Sequence, residues 1–257
     1  MRIIRFSRED SEPEWGWLQD NQIGLLSSAP FGPYHRSEPS VTLDKVKLLP
    51  PVTPSKVIAV GRNYVEHAHE HQVEVPDRPL IFMKPPSSII GSGVDILLPP
   101  QSQQVEYEAE LAVVIGNAGR WIDVMDVDQY ILGYTIANDV TARDLQKNDG
   151  QWTRAKGFDT FCPLGPWIET NLDPSDVLIT SRLNGEIRQM TSTREMVFNI
   201  PQLVVYISSI MMLQPGDVIL SGTPAGVGQI RKEDVVSITI EGIGELINSV
   251  AVDTRQK

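Results

Sequence analysis

Val105–Gly116 reads VEYEAELAVVIG, and the rest of the chain is organised around it. Apolar and acidic residues alternate first, and an unbroken apolar run follows. Period-two alternation places Glu106, Glu108 and Glu110 on one face of a β-strand, with Val105, Tyr107, Ala109 and Leu111 on the other. Leu111–Ile115 reads as buried on both faces, and Gly116 ends the strand. Three carboxylates on one face repel each other, and half-burying them is costly without compensation. Either the face meets water, or a positive species covers it. A hard divalent cation suits oxygen ligands.

The surrounding segments supply further polar candidates. Lys56–Val60 is a compact apolar strand, followed by Gly61, Arg62, Asn63 and Tyr64. Tyr64–His71 has the length of a short helix, on which His67 and Glu70 share a face. That spacing suits an acid–base pair, whereas His67 and His71, one turn apart, have the spacing of a zinc pair; a solvated segment is the third reading. Leu80–Met83 runs into Lys84, Pro85 and Pro86, and a lysine before two prolines sits on stiff backbone. Tyr130–Ala137 is a strand that delivers Asn138 and Asp139. Asp139 also suits the N-cap of the turn Thr141–Gln146. On that turn Arg143 lies four residues from Asp139 and three from Gln146, and residues 147–154 read as a polar loop ahead of Lys156.

The remainder reads mainly as β. EWGWLQDNQIGLL is a hairpin turning at Asp20–Asn21, and Asp44–Leu49 is a short strand. Val177–Leu183 leads through Asn184–Gly185 into a second hairpin with a type I′ turn signal. Pro201–Ser209 is an amphipathic helix with Leu203, Val204, Ile207 and Ile210 on its apolar side. Val235–Ile240 and Glu245–Val250 form a closing hairpin. Ser221–Gly228, SGTPAGVG, resembles a phosphate cradle but lacks the P-loop lysine; it reads as an amide and hydroxyl site for a small anion, or as a plain turn. Pro50, Pro51 and Pro54 mark a boundary between a small N-terminal module, 1–50, and a larger domain, 51–257.

Bulk properties narrow the function classes. The chain has 257 residues, 41% hydrophobic and 21% charged, with a formal net charge of -11, which argues against nucleic acid or an anionic membrane as partner. Cys162 is the single cysteine, so no intrachain disulfide forms. The apolar run at the N-terminus is too short for a signal peptide, and no stretch has the length of a membrane helix; the expectation is a cytoplasmic protein.

Taken together, Glu108, Glu110 and Asp139 with nearby lysines and a His–Glu pair suggest an oxygen-ligand centre for Mg²⁺ or Mn²⁺, with Ca²⁺ also suited. A 2-oxo acid fits such a centre, because its carboxylate and adjacent carbonyl chelate one ion.

The sequence resembles the fumarylacetoacetate hydrolase family, and within it the small bacterial acylpyruvate hydrolase and 2-hydroxyhepta-2,4-diene-1,7-dioate isomerase-like members. The matching segments are GRNYVEHAHE, IFMKPPSSIIG, VEYEAELAVVIG, NDVTARDLQ, KGFDTFCPLGP, LNGEIRQ and LSGTPAGVG, in the family's order from Gly61 to Gly228. The resemblance implies an α+β, mainly β fold, a mixed β-sandwich roll with a small N-terminal β-rich module, and a homodimer. It implies Glu108, Glu110 and Asp139 as metal ligands, with Glu106 outside the set. His67, Glu70 and Lys156 match catalytic positions, with the pair on a mobile lid. Arg62, Lys84, Arg143, Gln146 and Thr223 match substrate-binding positions.

A further acidic ligand, found in fumarylacetoacetate hydrolase itself, falls at Val60 here, so three carboxylates should hold the ion. The implied reaction is hydrolytic C–C cleavage of a 3-acylpyruvate-type 1,3-diketo acid. Oxaloacetate decarboxylation and 2-hydroxy-dienoate isomerisation use the same chemistry. A non-catalytic metal-binding protein would show a broken His–Glu pair or missing lysines, and neither is seen.

Overall fold

The strand Ala109–Ile115 is buried along its whole length, and it sits at the centre of the fold. A computed structural model describes residues 1–8, 11–70 and 72–254. Ala109, Leu111, Val113 and Ile115 point into one core cluster, while Ala112 and Val114 point into a second on the opposite face. Each fully buried Val, Leu or Ile side chain contributes about 1.5–3 kcal/mol, so burial on two faces anchors this strand firmly.

The strand belongs to a twelve-stranded mixed sheet. Its neighbours are Ile131–Asn138 and Val218–Leu220, and beyond the latter lie Val57–Gly61 and Leu80–Lys84. The first fifty residues extend the same sheet. Arg2–Ser7 pairs with Cys162–Glu169, and the hairpin Glu14–Gln19 with Gln22–Leu25 continues outward from it. Asp20, at φ 53, occupies the hairpin turn. A five-stranded sheet, Glu186–Ser192, Leu178–Leu183, Val235–Ile240, Gly244–Val252 and Ile96–Leu98, contributes Ile179, Ile238 and Leu246 to the first core cluster. Asn184 (φ 53) and Gly185 (φ 84) make the type I′ turn.

The acidic alternation is real, but the strand is interrupted. Val105–Tyr107 pairs with Thr141–Ala142 and Gly228–Gln229 in a separate three-stranded sheet. Glu108 lies at the break, where the chain passes from that sheet into the large one. Val105, Tyr107, Ala109 and Leu111 still share the first core, so the two faces are preserved across the break. The solvated reading of the acidic face is overturned: Glu106, Glu108 and Glu110 are 6%, 4% and 1% exposed.

Four local expectations are corrected. Leu43–Lys45 is a 3-10 turn and only Lys47–Leu48 is strand, because the short alternation there is interrupted by a backbone bond from Val46 to Leu43. The helix spans Ile200–Ile210, started by an Asn199–Gln202 capping box; Ile200 enters the core and Ile210, at the last residue, is exposed. Residues 147–154 are not all loop, since helices cover Arg143–Asn148 and Thr153–Lys156. Asp139 is not an N-cap, because its carboxylate is engaged by two lysines and the helix begins after Ala142.

Candidate metal and catalytic centre

The break at Glu108 brings three carboxylates together. The backbone N–H of Glu108 donates to Asn138 Oδ1 at 2.9 Å, and its carbonyl accepts from the Asp139 N–H at 2.9 Å. This cross-strand link fixes Glu108 beside Asp139, with Glu110 two residues further along the same face. One oxygen from each of Glu108, Glu110 and Asp139 lies within 4.8 Å of the others, and all three residues are buried.

Cations from distant segments close over the cluster. Lys156 Nζ donates to Glu108 Oε2 at 2.8 Å and Asp139 Oδ2 at 2.6 Å. Lys84 Nζ donates to Asp139 Oδ1 at 2.5 Å and to the Val140 carbonyl at 3.2 Å. Arg143 bridges Glu106 Oε2 (2.7 Å) and Glu108 Oε1 (2.5 Å), and its other terminal nitrogen donates to Gln146 Oε1 at 2.5 Å. Glu106 is therefore held by Arg143 outside the triad, as the family pattern implies.

These partners split the acidities of the triad. Burial alone would raise the Glu108 carboxyl, but Lys156, Arg143 and His67 hold it well below the usual carboxylate range. Glu110 moves the other way. Burial first, then the like charges of Asp139 and Glu108, push it well above its ordinary value of 4.5, against the opposing effects of Lys156 and the Gly222 amide. Lys156 loses some basicity to burial, yet Asp139 and Glu108 raise it overall, so it stays an ammonium. The donor set fits a hard divalent ion: three oxygen ligands, one of them with too little positive compensation.

The Glu110 imbalance has a measurable consequence. The folded state holds this proton more tightly than the unfolded chain does, so the ion-free protein loses stability as pH rises from about 4.5 toward the raised value. Glu110→Gln removes that penalty and keeps an acceptor for the Gly222 N–H. We expect the variant to melt at a higher temperature than the wild type at pH 8 without added metal. Mn²⁺ is expected to raise the Tm of the wild type and not that of the variant. An unchanged Mn²⁺ shift in the variant would remove Glu110 from the ligand set.

A cavity of about 300 Å³ opens on the triad. Val60, Phe82 and Trp152 form an apolar wall, with Phe82 and Trp152 edge to face at 5.1 Å. Arg62, His67, Arg143, Gln146, Lys156 and Thr223 line the rest of the cavity with the three carboxylates. Arg62 adopts a left-handed conformation (φ 59) at the end of strand Val57–Gly61, where the chain turns into helix Val65–Glu70. On that helix His67 Nδ1 lies 3.3 Å from Glu70 Oε2. His71, the other half of the zinc-pair reading, lies outside the described residues.

Two expectations change. Lys84 does not line the cavity; it is fully buried behind Asp139 and supports that carboxylate. The loop 221–228 is not an open anion cradle, because the protein's own carboxylates occupy its amides. Gly222 N–H donates to Glu110 Oε2 at 2.7 Å, and Gly226 N–H donates to Glu70 at 3.2 and 3.3 Å. Thr223 Oγ1 donates to the Ala109 carbonyl at 2.9 Å and accepts from Gln189 Nε2 at 2.8 Å.

Three supporting residues escape a reading from sequence. Gln189 accepts from the Ala109 N–H and donates to Thr223 and to the Pro224 carbonyl. Asn138 holds Glu108, and Asn63 ties the segment before the helix to Ser221 and Phe198. Amide side chains carry no charge pattern, so the only signal for Gln189 is its place in LNGEIRQ.

Fold and site together define a mainly β enzyme-type scaffold carrying a buried tricarboxylate centre beside a His–Glu pair. Residues 56–251 match the family described as Fumarylacetoacetate (FAA) hydrolase C-terminal, and residues 1–51 match Rv2993c-like, N-terminal. The chain belongs to the fumarylacetoacetate hydrolase family, whose members include hydrolases, isomerases and tautomerases. It is 46% identical to the mitochondrial oxaloacetate tautomerase Fahd2a of Rattus norvegicus over 82% of this chain and 72% of that one. A crystal structure of 5-carboxymethyl-2-hydroxymuconate delta-isomerase from Mycobacterium smegmatis superposes with a TM-score of 0.92 at 46% identity, covering 98% of this chain and 100% of the other. Maleylpyruvate hydrolase from Sphingobium sp. SYK-6, solved with manganese(II) and pyruvate, superposes with a TM-score of 0.81 at 29% identity, covering 99% and 100%. Among the described residues no helix is long and apolar enough to cross a membrane.

Proposed function

We propose that this chain is a divalent-cation-dependent enzyme that cleaves the C–C bond of 3-acylpyruvate-type 1,3-diketo acids by hydrolysis, releasing a carboxylic acid and pyruvate. One observation carries the reading: the His67–Glu70 pair stands beside the cavity onto which Glu108, Glu110 and Asp139 open. The manganese and pyruvate bound in the Sphingobium hydrolase support both the ion and the 2-oxo acid. Glu108, Glu110 and Asp139 would hold Mg²⁺ or Mn²⁺, which when bound supplies a Lewis acid for the oxygens of a 2-oxo acid.

The chain's own groups then divide the work. Glu70 faces Nδ1 of His67, which favours the tautomer with its proton on Nδ1 and leaves Nε2 as the base. His67 takes a proton from water, and the hydroxide adds to the carbonyl distal to the carboxylate. The bond between that carbonyl and the methylene carbon breaks, and the electron pair passes to the pyruvate unit as its enolate. Lys156 uses two of its three N–H groups on carboxylates, so the third can donate to the developing negative oxygen. The imidazolium of His67 returns its proton to the methylene carbon. The apolar wall of Val60, Phe82 and Trp152 suits the acyl chain.

A second reading is favoured by the 46% identity to the rat tautomerase. There His67 would carry a proton between carbon and oxygen of oxaloacetate, with no attacking water.

The deciding experiment offers acetylpyruvate and oxaloacetate in parallel with Mn²⁺ and follows products. Acetate plus pyruvate in equal amounts is expected. Rapid enol–keto interconversion of oxaloacetate with acetylpyruvate untouched would replace hydrolysis by tautomerisation.

A further inference from the structure

The amide of Gly226 meets Glu70 across 156 residues of sequence, and nothing in the proposed reaction requires that contact. Helix Val65–Glu70 has only six residues, too few to hold itself rigid. Glu70 sits at its last position with a side chain one-third exposed. A carboxylate placed there has several rotamers, yet it must face one ring nitrogen of His67.

Gly226 is itself held on its other side. Its carbonyl accepts a hydrogen bond from the Tyr107 hydroxyl at 2.9 Å, while its N–H reaches both oxygens of Glu70. Tyr107 is 1% exposed and lies between Glu106 and Glu108, on the face opposite to the carboxylates. Gly226 adopts φ +100, and a Cβ there would lie 2.1 Å from the Arg188 carbonyl, so no side chain fits.

We infer that Tyr107 and Gly226 form a strap that positions Glu70 and, through it, His67. This rests on the base role proposed for His67. Tyr107 is a positioning residue: it does not line the cavity, and its hydroxyl acts through one backbone carbonyl. A phenol hydroxyl is a donor at neutral pH, and Tyr107 directs its hydrogen bond to the Gly226 carbonyl. The continuous stretch 105–115, which carries Glu108 and Glu110, would thus also set the base that works beside them. The motif SGTPAGVG then serves the site twice, through Gly222 on Glu110 and through Gly226 on Glu70.

The test compares Tyr107→Phe, Glu70→Gln and the double variant in the full-length enzyme with Mn²⁺. Tyr107→Phe keeps the buried ring and removes one hydrogen bond. It should lower kcat about 3–10-fold with KM unchanged. In the Glu70→Gln background it should change kcat no further, because the strap then positions a neutral amide that no longer supports the charge formed on His67. Amide hydrogen exchange of the metal-free protein provides a readout independent of activity: Gly226 should exchange faster in Tyr107→Phe, and Gly222 should not. The Mn²⁺-induced Tm shift should match the wild type. Equal loss of kcat in both backgrounds, a weakened Mn²⁺ shift, or an unchanged Gly226 exchange rate would each overturn the strap. Full activity in Glu70→Gln would instead overturn the His–Glu pair of the proposed reaction, and the strap with it. A defective Glu70→Gln beside a fully active Tyr107→Phe would remove the strap alone.

Discussion

Replacing His67 with alanine is expected to lower kcat by about 10²–10⁴, the range over which a positioned general base contributes. The imidazole is buried at the cavity and paired with Glu70, while Lys156, Lys84, Arg143 and the Gly222 amide supply hydrogen bonds to the triad. The Mn²⁺-induced Tm increase of His67→Ala should therefore equal that of the wild type, about 2.7 kcal/mol of stabilisation at one hundred times Kd. The two readouts separate base from ligand. A variant that keeps its hydrolytic rate would displace His67 from the mechanism, and one that loses the Mn²⁺ shift would make it part of the ion site.

The largest stability change should follow Lys156→Met. This lysine is 2% exposed and closes ion pairs with both Glu108 and Asp139. Methionine fills the channel of the aliphatic stem but leaves two buried carboxylates without their shared cation. Breaking a buried pair from one side costs about 3–5 kcal/mol. For a chain of this size that corresponds to a Tm lower by about 6–20 °C.

The pH dependence follows from the sign of the shift. In the wild type Glu108 is held below its ordinary 4.5, so its contribution to stability is present above that value and lost as pH falls through the depressed one. The variant lacks that contribution, and its stability deficit should shrink at low pH, where both states are protonated. Thermal melts at pH 8 and pH 3 would show it, and Mn²⁺ added at pH 8 should recover part of the loss. A deficit under about 1 kcal/mol would mean that the lysine pairs are no better than exposed ones.

Much of this architecture is legible in the linear chain because it depends on local period. VEYEAELAVVIG placed Glu106, Glu108 and Glu110 on one face and the core residues on the other, and the structure keeps that alternation even across the break at Glu108. Asn184–Gly185 marked its hairpin because both residues tolerate positive φ. The matched motifs brought His67, Glu70, Asp139, Arg143 and Lys156 into one list, and the fold places four of them on one cavity with Glu70 beside it.

What period could not show is which group answers which. Glu106 and Glu108 look alike in sequence, yet one is neutralised by Arg143 alone and the other faces two cations and two carboxylates. Lys84 reads as a substrate contact, and only its register on Leu80–Lys84 against Val57–Gly61 sends it behind Asp139. The loop 221–228 reads as a cradle for an external anion, whereas its amides close on Glu110 and Glu70 from 112 and 156 residues away. Sequence alone therefore determined the faces of the strands and the kinds of group available. Tertiary structure decided the partners, because Coulomb and hydrogen-bond energies depend on separations of a few ångströms that local periodicity does not encode.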